Sequence, residues 1–235
     1  DHDRIVELVQ QTLGDTVRPG GALEPLPVPT GALARRRFLA KETEQYHVAL
    51  GAPGLARDDE RRFALRVLDN VLGGTSSSRL FQEVREQRGL AYSVYSFTGS
   101  YAGTGQIGLY LGTRPDNVGT ALEVVGTELD KLLADGITAE ELDRARDHVK
   151  GRVVLSLEST TSRMNRLGSS VLADMPVLTV DEVVERIDAV TLEDVSALAR
   201  ELYAPQRLSA AGIGGDESVF RGALEPVAPG LAEAA

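Results

Sequence analysis

The chain predicts an α+β fold: a mainly antiparallel or mixed sheet with helices packed on one face. Three observations point there. Strand-like runs come in neighbouring pairs. Helical patterns are segregated between the pairs and then follow in an uninterrupted run. A final strand-like run closes the series, giving the order ββα(α)ββα, helices, β.

The elements follow in order. Asp3 to Leu13 reads as a helix, with Ile5, Val6, Leu8, Val9 and Leu13 at helical spacing, Asp1 or Asp3 as its cap and Gly14 as its stop. Residues 15–32 carry Pro19, Pro25, Pro27 and Pro29 with Gly20-Gly21 and read as a linker. The helix at 1–14 then reads as the last helix of a preceding domain, 33–225 as the main domain, and 226–235 as a flexible tail. Leu33 to Lys41 and Gln45 to Gly51 are predicted strands. In the second, Tyr46, Val48 and Leu50 alternate with Gln45, His47 and Ala49. Asp58-Asp59-Glu60 places negative charge where a helix running to Leu72 would begin.

After Gly73-Gly74, expected to supply a positive-φ helix end, four hydroxyl residues, Thr75 to Ser78, are placed to cap a short amphipathic helix. Gly89 breaks that helix. A strand with Tyr92, Tyr95 and Phe97 follows, then another over Gln106 to Gly112. Asp116 or Asn117 caps a helix to Leu133. Thr138-x-x-Glu141 is a capping box for the next, and Thr191-x-x-Asp194 has the same form. Further helices are predicted over 161–174, 180–189, 191–202 and 217–224, with the last strand at Arg207 to Ile213.

The totals exclude several classes. The formal net charge is −10, which disfavours nucleic acid and anionic membrane as partners. No cysteine is present, so disulfides and thiolate metal sites are excluded. No apolar run approaches the ~20 residues of a membrane span, and the chain reads as a soluble, cytoplasmic protein. Three histidines, His2, His47 and His148, lie in no zinc-binding spacing, and a zinc site needs about three convergent ligands. No metal or cofactor ligand set is therefore predicted on this chain. Phosphate-binding, dinucleotide and serine-hydrolase motifs are also missing.

Chemistry concentrates in Leu72 to Ser96. There Arg85 and Tyr92 stand at R-x6-Y spacing across a helix–strand corner. A phenol can donate to a developing oxyanion, and a guanidinium can hold a carboxylate or carbonyl. The plainer reading is an exposed arginine beside a half-buried strand tyrosine.

The sequence resembles the C-terminal half of the pitrilysin/insulinase family of zinc metallopeptidases, the inverzincins, in the bacterial and mitochondrial-processing-peptidase-like branch. The residues that carry the resemblance run from Thr43-Glu44-Gln45 to Leu50-Gly51-Ala52-Pro53-Gly54. They continue with Leu72-Gly73-Gly74, SSRLFQEVRE at 77–86, RGLAYSVYS at 88–96, Gly112-Thr113 and GITAEEL at 136–142. It covers about Arg35 to Gly214. The resemblance implies a metalloendopeptidase of two similar α+β halves, in which the absent N-terminal half carries HxxEH and the zinc. It implies that Arg85 fixes the peptide substrate and that Tyr92 helps stabilise the tetrahedral intermediate. Zinc is then expected in the full enzyme, and this chain alone is expected to be inactive. The expected partners are the N-terminal zinc-binding half, a peptide substrate and a possible second copy of the chain. The alternative is a non-catalytic subunit that binds peptide or scaffolds.

Overall fold

The computed structural model describes residues 1–14, 16 and 34–233. The proline-rich segment read as a linker lies outside the described residues, apart from Thr16. Helix α1, His2–Leu13, is capped by Asp1, whose side chain accepts the Asp3 N–H at 3.1 Å. None of its residues is buried.

The rest is built on a five-stranded sheet of order β1-β5-β2-β4-β3. The strands are β1 (Arg36–Ala40), β2 (Tyr46–Gly54), β3 (Ala91–Tyr101), β4 (Thr104–Thr113) and β5 (Ser209–Gly214). β1 and β5 pair in parallel, and the other pairs are antiparallel. Period-two alternation sorts the side chains. Tyr46, Val48 and Leu50 of β2 lie level with Thr113, Leu111 and Leu109 of β4 and are buried. His47, Ala49 and Gly51 lie level with Gly112, Tyr110 and Gly108 on the other, half-open face. A one-residue slip would exchange the two sets, so this burial fixes the register.

Helices cover the buried face. The helices are α2 (Arg62–Leu72), α3 (Val118–Asp135), α4 (Ala139–Ser156), α5 (Thr160–Leu172), α6 (Val180–Asp188), α7 (Leu192–Leu202), α8 (Glu217–Ala223) and α9 (Pro229–Glu233), and each of them except α5 buries side chains in the core. Val67, Leu68 and Leu72 of α2, Leu122 and Val125 of α3, and Leu198 and Leu202 of α7 form one core with the sheet. Each such side chain contributes about 1.5–3 kcal/mol on burial. Capping boxes start α4, α6 and α7, and the one at Thr179 and Glu182 was not picked out from the sequence.

Two expectations are corrected. Gly73 has φ −155°, and positive-φ glycines among the described residues are Gly89, Gly103 and Gly136. Gly73 is needed for space, because a Cβ there would lie 2.3 Å from the Ser96 nitrogen. The tail expected to be flexible is packed as far as Ala232. Val227, Ala228 and Leu231 are buried, and Arg36 Nη1 donates to the Leu231 carbonyl at 2.5 Å. Apolar residues at that spacing found a core, which an Ala/Pro/Gly composition had disguised. Among the described residues, no helix is long and apolar enough to cross a membrane.

Candidate functional site

The corner between α2 and β3 is built from unusual backbone. Residues 81–86 form a π-helix, Phe81–Glu86, in which the Gln87 N–H reaches the Gln82 carbonyl at 2.9 Å. Gly89 turns the chain with φ +59°, a region that costs a side-chain-bearing residue strain. Leu90 is then tied down on both sides: its N–H donates to the Val84 carbonyl, and its carbonyl accepts the hydroxyl of buried Thr113 at 2.6 Å. β3 begins with a bulge between Ala91 and Ser93, and Tyr92 is the extra residue. π-Helices and bulges both re-aim side chains.

The hydroxyl residues 75–78 do not cap this helix. Ser78 Oγ donates to the Thr75 carbonyl at 2.6 Å, and no side-chain cap bond begins the π-helix. Arg79 anchors the corner instead. Its Nε and Nη2 form a fork on the Glu141 carboxylate at 2.6 and 2.7 Å, and Nη2 also donates to the Gly136 carbonyl. Glu141 Oε2 accepts the Thr138 N–H as well. Both side chains of the pair are 15% exposed. Burial alone would raise the Glu141 pKa, but Arg79 and the Thr138 N–H outweigh it and hold it below the ordinary value.

Arg85 and Tyr92, selected from the sequence, are brought together. The Arg85 guanidinium carbon lies 4.6 Å from the Tyr92 ring centroid and 4.7 Å from that of Phe81. Both contacts are within cation–π range. The guanidinium thus lies over two aromatic rings, which hold it in place while its N–H groups remain donors. Glu86 Oε1 approaches at 3.5 Å. Tyr92 is 75% exposed. Sequence reasoning missed Phe81 and the Arg79–Glu141 pair. Phe81 was readable, since it precedes Arg85 by four residues. The ion pair spans 62 residues and had no local signal.

The histidines do not converge. His47 Nδ1 lies 2.7 Å from the Tyr110 hydroxyl on the open sheet face. His148 Nδ1 accepts from Asn70 Nδ2 at 2.8 Å. Among the described residues no group of three His, Cys, Asp or Glu side chains could hold a metal ion. Zinc therefore does not fit the described donor set of this chain.

The chain thus presents a mixed sheet with helices on one face and an arginine–tyrosine corner, and among the described residues no group of three side chains that could hold a metal. The family described as "Peptidase M16 inactive domain" matches residues 1–149, and the chain belongs to it. A protein of Streptomyces coelicolor named as a zinc protease is 44% identical over 86% of this chain and 45% of its own length. The zinc protease YmxG of Bacillus subtilis is 43% identical over 86% of this chain and 49% of its own. The chain thus spans about half the length of the curated relatives it matches. A crystal structure of a peptidase M16 inactive domain from Pseudomonas fluorescens shares the fold at TM-score 0.80, with 24% identity over 91% of this chain and 51% of that one.

Proposed function

We propose that this domain binds peptide for a zinc-dependent metalloendopeptidase, with Arg85 and Tyr92 as its substrate contacts. The observation that carries the reading is the Phe81–Arg85–Tyr92 cluster, which holds a cation against an exposed phenol ring on a tightly tied corner. The Arg85 guanidinium donates to a peptide carbonyl or carboxylate. The Tyr92 hydroxyl donates to the scissile carbonyl oxygen as negative charge develops there. Hydrolysis itself belongs to an N-terminal half that supplies the zinc. In this reading α1 ends a preceding domain and residues 15–32 join the halves. The names of the relatives support the peptidase class.

The test is peptide cleavage by the complete two-half protein carrying Tyr92→Phe or Arg85→Ala. Loss of one transition-state donor is expected to lower kcat by about 100-fold. Arg85→Ala is expected to raise KM as well. Cleavage unchanged by both substitutions would overturn the reading and favour a scaffolding or peptide-binding subunit.

A further inference from the structure

On the helix-covered side of the sheet, a cavity of about 490 Å³ opens between α2, α4, α5, α6 and the far end of β3. That volume lies within the range of small-molecule sites, roughly 300–1,000 Å³. Tyr92 and Ser100 stand eight residues apart along β3, about 26 Å in an extended strand. The cavity is therefore separate from the Arg85 corner.

Four arginines reach its wall: Arg57, Arg62, Arg66 and Arg166. None of the described residues lining it is acidic. This is unexpected in a chain of net charge −10. Their contacts fix these side chains without neutralising most of them. Arg57 donates to the Ser100 carbonyl at 3.1 Å, and Arg166 donates to the Leu178 carbonyl. Arg62 pairs with Glu60, but that carboxylate is shared with Arg186. Arg66 makes no ion pair or side-chain hydrogen bond among the described residues. It stands one helical turn from Arg62, where like charges repel. Arg66 is an exposed residue of α2 that lines the cavity. Partial desolvation by the surrounding protein, with the Arg62 and Arg166 charges, pushes its pKa down. The floor is apolar, with Phe63, Leu65, Met175 and Val183, and Ser170 adds a hydroxyl.

We infer that this cavity is a binding site for a small anion. Its carboxylate or phosphate oxygens are held by Arg66 and Arg166, and its apolar body lies on Phe63, Leu65 and Val183. A bound anion supplies the countercharge that this cluster lacks, and planar guanidinium forks match such oxygens. The site stands whether or not Arg85 and Tyr92 touch substrate.

The experiment is isothermal titration of the 235-residue chain with two probes, phenyl phosphate and N-acetyl-Glu-Leu. Either is expected to bind with Kd below about 1 mM in 50 mM NaCl and several-fold more weakly in 500 mM NaCl. Preference for the first assigns a phosphate ligand, and preference for the second a peptide-like carboxylate. Arg66→Gln is expected to weaken the preferred probe by about 10-fold or more, with no fall in the ligand-free Tm, because it removes a repelled charge. Arg66→Lys keeps the charge, loses the fork and is expected to give an intermediate weakening with the fold intact. Absence of binding by both probes, or equal binding by the wild type and both variants, would overturn the inference.

Discussion

The two arginine sites of this domain are opposites. Arg85 is satisfied: two rings stack on it, a nearby carboxylate faces it, and the whole arrangement lies within residues 81–92. Arg66 has no carboxylate partner among the described residues: Arg62 and Arg166 are its charged neighbours, and its wall is assembled from segments spread between residues 57 and 183. Under the proposed function the first cation is held in position to meet a substrate. Under the further inference the second takes its countercharge from a ligand. The difference also separates what composition reveals from what only three dimensions reveal.

The sharpest way to break the comparison is Arg79→Ala. It strands the Glu141 carboxylate and frees the corner, so it should cost about 3 kcal/mol in urea unfolding, near the lower end for a broken buried pair. Titration with the cavity probes should be unchanged, because the pair lies at the other end of α2. Equal loss at both sites would show that the two regions are one unit. Gly73→Ala acts where α2 meets β3, and its Cβ would collide with the Ser96 backbone. Overpacking should destabilise by about 2 kcal/mol. Because α2 also carries Arg62 and Arg66, this change is expected to disturb both sites, which Arg79→Ala is not.

Acid titration sharpens the contrast further. The Glu141 pKa is held below its ordinary 4.5 in the fold. A lowered folded pKa means that this stabilisation is present above the unfolded value and is lost as pH falls through the folded value. Asp69 is shifted the other way: burial raises it above 3.8, against the opposing effects of the Ser96 hydroxyl and the Arg152 charge. Ionising Asp69 therefore costs the fold stability at neutral pH, and that cost vanishes on acidification. Glu141→Gln should flatten the acid limb of stability below about pH 4.5, and Asp69→Asn should steepen it. Stability followed by circular dichroism between pH 2 and 7 checks both, and identical acid limbs would refute the assignment. The smallest effect is expected for Thr138→Ala, which removes one capping oxygen from α4 and should cost about 1 kcal/mol with the Arg85 stack preserved.

Much of the fold was legible because its signals are local. The alternation of Tyr46, Val48 and Leu50 marks the buried face of β2 in the sequence itself. Thr138 and Glu141 announced the start of α4 through chemistry that spans a single turn. Arg85 and Tyr92 were singled out by R-x6-Y spacing, and the fold places the guanidinium of the one over the ring of the other. Most of what escaped was long-range. Gly73 looks like a helix terminator in one dimension and is a clearance for Ser96 in three. The Thr179 box was overlooked although its pattern is local, and residues 227–231 looked frayed because their partners lie elsewhere in the chain. The arginine cavity has no linear signature, since Arg57 and Arg166 meet only through the tertiary fold.

The parallel pairing of β1 with β5 has a consequence for how the domain is made. Arg36 finds its strand partner in Ala210, so the sheet closes across nearly the whole length of the domain. Contacts so distant in sequence raise the contact order and slow the search for the native topology. During synthesis at roughly 5–20 residues per second, β1 leaves the ribosome long before β5 exists to receive it. The β2–β4–β3 sheet and its helices can assemble in that interval, while the β5-binding edge of β2 waits open. The last strand to be synthesised then slides between two that are already made, and that insertion is the step at which a helper protein, or an unwanted neighbour, has its opportunity.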